Sequence, residues 1–155
     1  MMKMSGVVNY KVEEVFNIFN NNAKRDFKDF REDNAVGCKM VKDITTGGKK
    51  TIRCNIEITG YKKNLKYEIT TSNKYSKCVS TYTFKPQTNG TTLLTLKETQ
   101  STPKFMQFMT LLFQRFLARQ RFKASFNNII ESINNELKRY HENLERSTPK
   151  EEAVN

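Results

Sequence analysis

The spacing of apolar residues changes several times along the chain, and each change predicts an element. Met2 to Val8 is short and mildly apolar, which fits a leading strand. From Lys11 the pattern becomes helical: Val12, Val15, Phe16 and Phe19 recur three and four residues apart. The polar run Asn20-Asn21-Asn22 predicts a break. Ala23, Phe27 and Phe30 then predict a second short helix, with Lys24, Arg25, Lys28 and Arg31 on its wet side.

From Cys38 the period drops to two, the mark of strands with one buried and one solvated face. Cys38, Met40 and Ile44 share a face in the first of these, with Lys42 as the exception. Gly47-Gly48 marks a tight turn. Ile52, Cys54, Ile56 and Ile58 then alternate with Arg53, Asn55, Glu57 and Thr59. Gly60 to Asn64 reads as a loop. Tyr67, Ile69 and Thr71 point inward from the next strand, and Cys78, Ser80, Tyr82 and Phe84 from the one after. Asn89-Gly90 signals a turn. Leu94, Leu96 and Glu98 share the inner face of the last strand. Ser101-Thr102-Pro103 is a helix start, a hydroxyl cap followed by Pro. The helix it opens runs to about Tyr140 with no Gly or Pro inside. Its second half carries one stripe of Phe122, Phe126, Ile129, Ile130, Ile133, Leu137 and Tyr140. Its first half, Phe105 to Leu117, is apolar almost all round.

These elements predict an α+β domain over residues 1–141 and an acidic, disordered tail over 142–155. A chain of 155 residues suits a single domain. Its 27 basic and 16 acidic side chains leave a net charge of +11. Such a charge keeps a protein soluble and attracts phosphates, nucleic acid or anionic lipid surfaces. Three cysteines, Cys38, Cys54 and Cys78, form neither an even disulfide set nor a CxxC pair. With His141 as the sole histidine, a histidine triad and a multi-histidine zinc site are excluded. No metal or other cofactor is expected. With no signal-like segment and no membrane-length apolar run, a reduced, cytoplasmic setting is the default expectation.

The order of strand, two short helices, antiparallel meander and long C-terminal helix resembles the helix-grip fold of the START-like, or SRPBCC, superfamily. The segment Val7-Val8-Asn9-Tyr10-Lys11-Val12-Glu13-Glu14-Val15-Phe16 looks like that superfamily's strand followed by its helix start. The run from Phe113 to Leu137 looks like its long terminal helix. The chain is most similar to a small bacterial branch of unassigned function. It departs from the pollen-allergen type, with five strands after the helices rather than six. The resemblance implies a curved sheet wrapped around the long helix, with a cavity between them for a hydrophobic or amphipathic, lipid-like small molecule.

The residues expected at that cavity follow from the inward phases. On the sheet they are Met40, Ile52, Ile56, Tyr67, Ile69, Tyr82, Phe84, Leu94, Leu96 and Glu98; on the helix they are Phe126, Ile130 and Ile133. The competing reading is that these side chains simply fill the core. Arg115, Arg119 and Lys123 form a row four residues apart that falls within the helix's apolar stripe. They either hold a carboxylate or phosphate head group at the cavity mouth, or snorkel to the rim and pair with Glu68 or Glu98. Glu98 is either an internal acid or a strand end in solvent. A lone carboxylate without a second acid or base argues against an enzyme. The cysteines read as inert core residues. The alternative function is a surface module for an anionic membrane or a partner protein, acting through the Phe- and Arg-rich helix. Specific nucleic-acid binding is disfavoured, because the aromatics fall inward rather than between lysines. The expected state is a monomer or weak homodimer.

Overall fold

A computed structural model describes residues 1–45, 51–74, 76–101 and 108–148, with the side chains of residues 45 and 108–119 excepted. Its elements are β1 (Met2–Val8), α1 (Val12–Asp26), a 3-10 turn (Glu32–Asn34), β2 (Lys39–Thr45), β3 (Thr51–Lys62), β4 (Lys66–Ser72), β5 (Lys77–Pro86), β6 (Thr92–Ser101) and α2 (Phe108–Ser147). The six strands form one antiparallel sheet in the order β1-β6-β5-β4-β3-β2. Five of them follow the helical segment, as the alternation predicts. The curved sheet with its long C-terminal helix is the helix-grip arrangement.

Helix α1 buries Val12, Val15, Phe16, Ile18 and Ala23 on the stripe that its sequence spacing lays out. Glu13 and Glu14 lie in its first turn, and Lys24 and Arg25 in its last, as the helix dipole favours. The expected break at Asn20-Asn21-Asn22 does not occur. Asn20 is buried, and both ends of its amide are satisfied: Nδ2 donates to Glu32 at 2.9 Å, and Oδ1 accepts from the Tyr61 hydroxyl at 2.8 Å. An asparagine held this way need not compete for the helix backbone. Instead of two short helices, the chain forms one of fifteen residues followed by a three-residue 3-10 turn.

Strand β3 runs to Lys62, through the expected loop at Gly60. Its pairing with β4 shifts between Ile58 and Gly60, so a bulge inserts one residue. Ile52, Cys54, Ile56 and Ile58 face inward before it, and Tyr61 opposite Tyr67 after it. A Cβ at Gly60 would lie 3.0 Å from the Glu68 Cβ, so any larger residue there would have to push Glu68 aside by a few tenths of an ångström. The Asn89-Gly90 turn forms, with Gly90 at φ 76°. The Gly47-Gly48 turn and the helix start at Ser101-Thr102-Pro103 fall on or against positions outside the described residues.

Helix α2 lies along β1. Phe122, Phe126, Ile133 and Leu137 are buried, while Ile129 and Ile130 are partly buried. Phe126 and Ile130 reach into the space above Gly6, where a Cβ would meet both side chains at 3.2 Å. At forty residues α2 is about 60 Å long, against about 40 Å for the twelve-residue β3. It therefore outruns the sheet. Tyr140, expected on the buried stripe, is 56% exposed. The segment expected as tail from Glu142 is helical through Ser147.

Replacing Phe126 by Ala should cost about 3–5 kcal/mol in urea-unfolding stability, because the site is sealed by Gly6 and cannot collapse. Lys123→Ala, on the exposed side of the same helix, should stay within about 0.5 kcal/mol of the parent.

Candidate functional site

Cross-strand register arranges the inner face of the sheet into rows. One row runs Met4, Leu96, Tyr82, Tyr67, Tyr61. The next runs Met2, Glu98, Ser80, Ile69, Ile58, and the one beyond holds Gln100, Cys78, Thr71, Ile56 and Met40. On the other side, Leu94 lies between Gly6 and Phe84. The rows differ in how well they are covered. Phe84, Leu94 and Leu96 are sealed into the core with Phe126. Met40, Ile52, Ile56, Ile69, Tyr82, Glu98 and Ile130 keep part of their surface accessible.

Phe19 of α1 stands over the division between these regions. Its ring meets Phe84 and Tyr82 with centroids 5.0 Å away, and Tyr67 at 5.7 Å, all edge-on. Tyr67 and Tyr82 are cross-strand partners with ring centroids 6.5 Å apart. Neither hydroxyl has a hydrogen-bond partner among the described residues, and no side-chain oxygen there is both unpaired and sealed from solvent. Both hydroxyl oxygens therefore open onto accessible space, although Tyr67 as a whole is only 7% exposed. An open groove of about 400 Å³ between α1 and α2 reaches Tyr82, lined also by Phe19, Ile129 and Ile133.

Beside the tyrosines lies a short polar line. Glu98 accepts a hydrogen bond from Ser80 Oγ at 3.1 Å, and Ser80 lies 4.0 Å from the Cys78 sulfur. Burial pushes the Tyr82 hydroxyl up to about 12, and the charge of Glu98 adds to this. Burial likewise raises Tyr67, helped by Asp26, and raises the Cys78 thiol, helped by Glu98. At neutral pH these groups are protonated, so the tyrosines can donate as well as accept.

Of the basic row, only Lys123 has a described side chain. Lys123 is exposed on α2, away from the inner face, because it lies one position beyond the buried Phe122 on the helix. The side chains of Arg115 and Arg119, like those of the aromatic run 105–117, lie outside the described residues. Glu68 does not face the helix. It follows the inward Tyr67 and so points to the outer face, where it accepts from Thr59 at 3.0 Å and Thr81 at 2.9 Å and pairs with Lys66 at 3.0 Å. Burial alone would raise its carboxyl; these hydrogen bonds and the Lys66 charge outweigh burial and hold it below its ordinary value. Ser80 and Phe19, which the sequence reading did not place at the site, belong to it. Both were in phase, Ser80 in the strand alternation and Phe19 on the helical stripe. A larger groove of about 570 Å³, between α1, the β3–β4 turn and the overhang of α2, is lined by none of the residues expected at the cavity.

The model of a family described as a domain of unknown function, DUF3284, matches residues 2–119. The chain belongs to this family. The match takes in the whole sheet, α1 and the first part of α2. No curated protein matches this DUF3284 chain. Among solved structures it is similar to Ara h 8.0201, with a TM-score of 0.62 and 11% identity over 87% of this chain and 95% of that one. It is also similar to SA2116 of Staphylococcus aureus, described as a protein of unknown function, with a TM-score of 0.61 and 10% identity over 89% and 94%. A third is the di-domain ARO/CYC StfQ from the steffimycin biosynthetic pathway, at 0.58 and 14%, where 88% of this chain spans 51% of that one. At such identities the likeness establishes the shared fold. No helix among the described residues is long and apolar enough to cross a membrane.

Above the ordinary glutamate pKa of 4.5, Glu68 should stabilise the fold, and Glu68→Gln should cost about 1 kcal/mol at pH 7. Because the folded carboxyl lies below its unfolded value, that stabilisation is lost as pH falls below 4.5. Urea titrations of parent and variant across pH 3 to 7 (roughly the range where Glu titrates) should converge at the acid end.

Proposed function

We propose that this chain binds a hydrophobic or amphipathic small molecule, lipid-like in character, between the inner face of the sheet and the C-terminal helix, without transforming it. The observation that carries this reading is the pair of tyrosine hydroxyls, Tyr67 and Tyr82, which have no hydrogen-bond partner among the described residues and are not sealed from solvent. A packed core satisfies its polar atoms internally. Here two hydroxyls stand in an apolar surround of Phe19, Ile69 and Leu96 with no partner among the described residues. Ligand sites combine largely apolar walls with a few such convergent polar groups.

The fold neighbours support the same reading. Ara h 8.0201 and an ARO/CYC protein share the curved sheet and long helix, an architecture suited to holding a molecule between its two layers. A catalytic role finds less support. Glu98 is the one carboxylate on the described inner face, and the titrating groups beside it, the Tyr82 hydroxyl and the Cys78 thiol, are pushed by burial away from the range useful for acid–base work at neutral pH.

Native mass spectrometry of freshly purified protein, followed by organic extraction, tests the proposal. A discrete adduct of small-molecule mass, lost on denaturation and recovered in the organic phase, is the expected result. An adduct-free mass at gentle voltages, together with no uptake of added naphthalene-based probes, would overturn it.

A further inference from the structure

We infer that the ligand presents a neutral hydroxyl to the line formed by Glu98, Tyr82 and Tyr67, and that the described inner face selects against a carboxylate or phosphate end group. This rests on the binding reading above and specifies its chemistry. The three side chains share one face of three adjacent strands. Tyr82 lies directly across from Tyr67, and Glu98 is diagonal to Tyr82, opposite Ser80. Diagonal neighbours on one sheet face are within reach of long side chains.

The hydrogen-bonding inventory then restricts the guest. Glu98 accepts one bond, from Ser80, and a carboxylate has room for more. No cation pairs with Glu98 among the described residues, and Lys66, the one lysine paired to a strand glutamate, lies on the other face with Glu68. An anionic end group would therefore meet a carboxylate with no described cation beside it, and like charges at close range repel strongly. A cationic end group would suit Glu98 locally, but it must enter a protein of net charge +11 and leave water for an apolar wall. A hydroxyl avoids both costs. It donates to Glu98, which has capacity beyond its bond from Ser80, and accepts from Tyr82 or Tyr67, neither of which has a partner among the described residues. The raised Tyr82 hydroxyl agrees with this arrangement, since it remains a donor at any physiological pH.

Two probes with one apolar body test the inference: 2-naphthol, neutral at pH 7, and 2-naphthoate, which is anionic. Isothermal titration calorimetry on the full chain should find 2-naphthol bound roughly tenfold more tightly, the size of one charge-assisted hydrogen bond. Glu98→Gln should narrow that preference at least threefold (on the order of half a charge-assisted bond), and Tyr82→Phe should weaken 2-naphthol more than 2-naphthoate. Circular dichroism and urea titration establish that each variant is folded; Glu98→Asp, which keeps the charge, should retain the preference. Binding of both probes with equal affinity, or a preference for 2-naphthoate, would overturn the hydroxyl assignment and leave the cavity reading standing. If neither probe binds the parent, both readings are overturned.

Discussion

The seating of α2 on β1 is the contact on which the rest of the arrangement depends. Gly6 has no side chain, and Phe126 and Ile130 occupy the space it leaves. That approach puts the helix over one edge of the sheet rather than across its middle. Val8, Leu94, Leu96 and Phe84 are sealed in the core. Further across the sheet the cover is mixed: Ile58, Cys54 and Tyr67 are buried, while Ile69, Ile56, Ile52 and Met40 stay partly accessible. A side chain at position 6 would require Phe126 and Ile130 to give by a few tenths of an ångström.

Helix α1 closes the structure from the other side. Its aromatic residues meet the sheet edge-on: Phe16 against Tyr61 and Phe84, Phe19 against Phe84, Tyr82 and Tyr67. Edge-to-face rings fix orientation as well as burying area. The helix can hold this position only if it continues past its three asparagines. Asn20 makes that possible by binding Tyr61 and Glu32, so one buried amide ties α1 to β3 and to the 3-10 turn. At the far end, His141 of α2 contacts Glu14 of α1 at 2.6 Å and stacks on Tyr10. The two helices are held together where α2 overhangs the sheet, which leaves the groove between Phe19 and Ile133 as an approach to Tyr82.

Much of this was legible in the sequence where a single period governs. Ile52 to Ile58, Cys78 to Phe84 and Leu94 to Glu98 lie on the faces their alternation assigns, because each strand segment there is regular. The reading failed where a tertiary contact overrides a local signal. Gly60 looks like loop punctuation, but it is a bulge that reverses the phase of β3 and turns Tyr61 inward. Asn20 looks like a helix breaker, but its competing hydrogen bonds are taken up from outside the helix. Lys123 and Tyr140 illustrate a different limit. A stripe on a helical wheel gives a direction; it gives neither the width of the surface the helix packs on nor where that surface ends. Lys123 falls just off the seam, and Tyr140 lies beyond the sheet. Which inward residues are sealed and which stay open was not readable either, since this depends on how both helices sit on the sheet.

The polar line on the inner face makes sense only in light of this asymmetry. Had α2 covered the whole sheet, Glu98 and the two tyrosines would face apolar side chains with no water, and burying them unpaired would be strongly destabilising. With the helix held to the edge, the same residues face accessible space and cost little in the empty protein. Tyr67 and Tyr82 keep hydroxyls that no described neighbour uses, next to a carboxylate bound only by a serine. Unused hydrogen-bonding capacity on a partly covered apolar face is what the proposed binding of a small molecule would draw on.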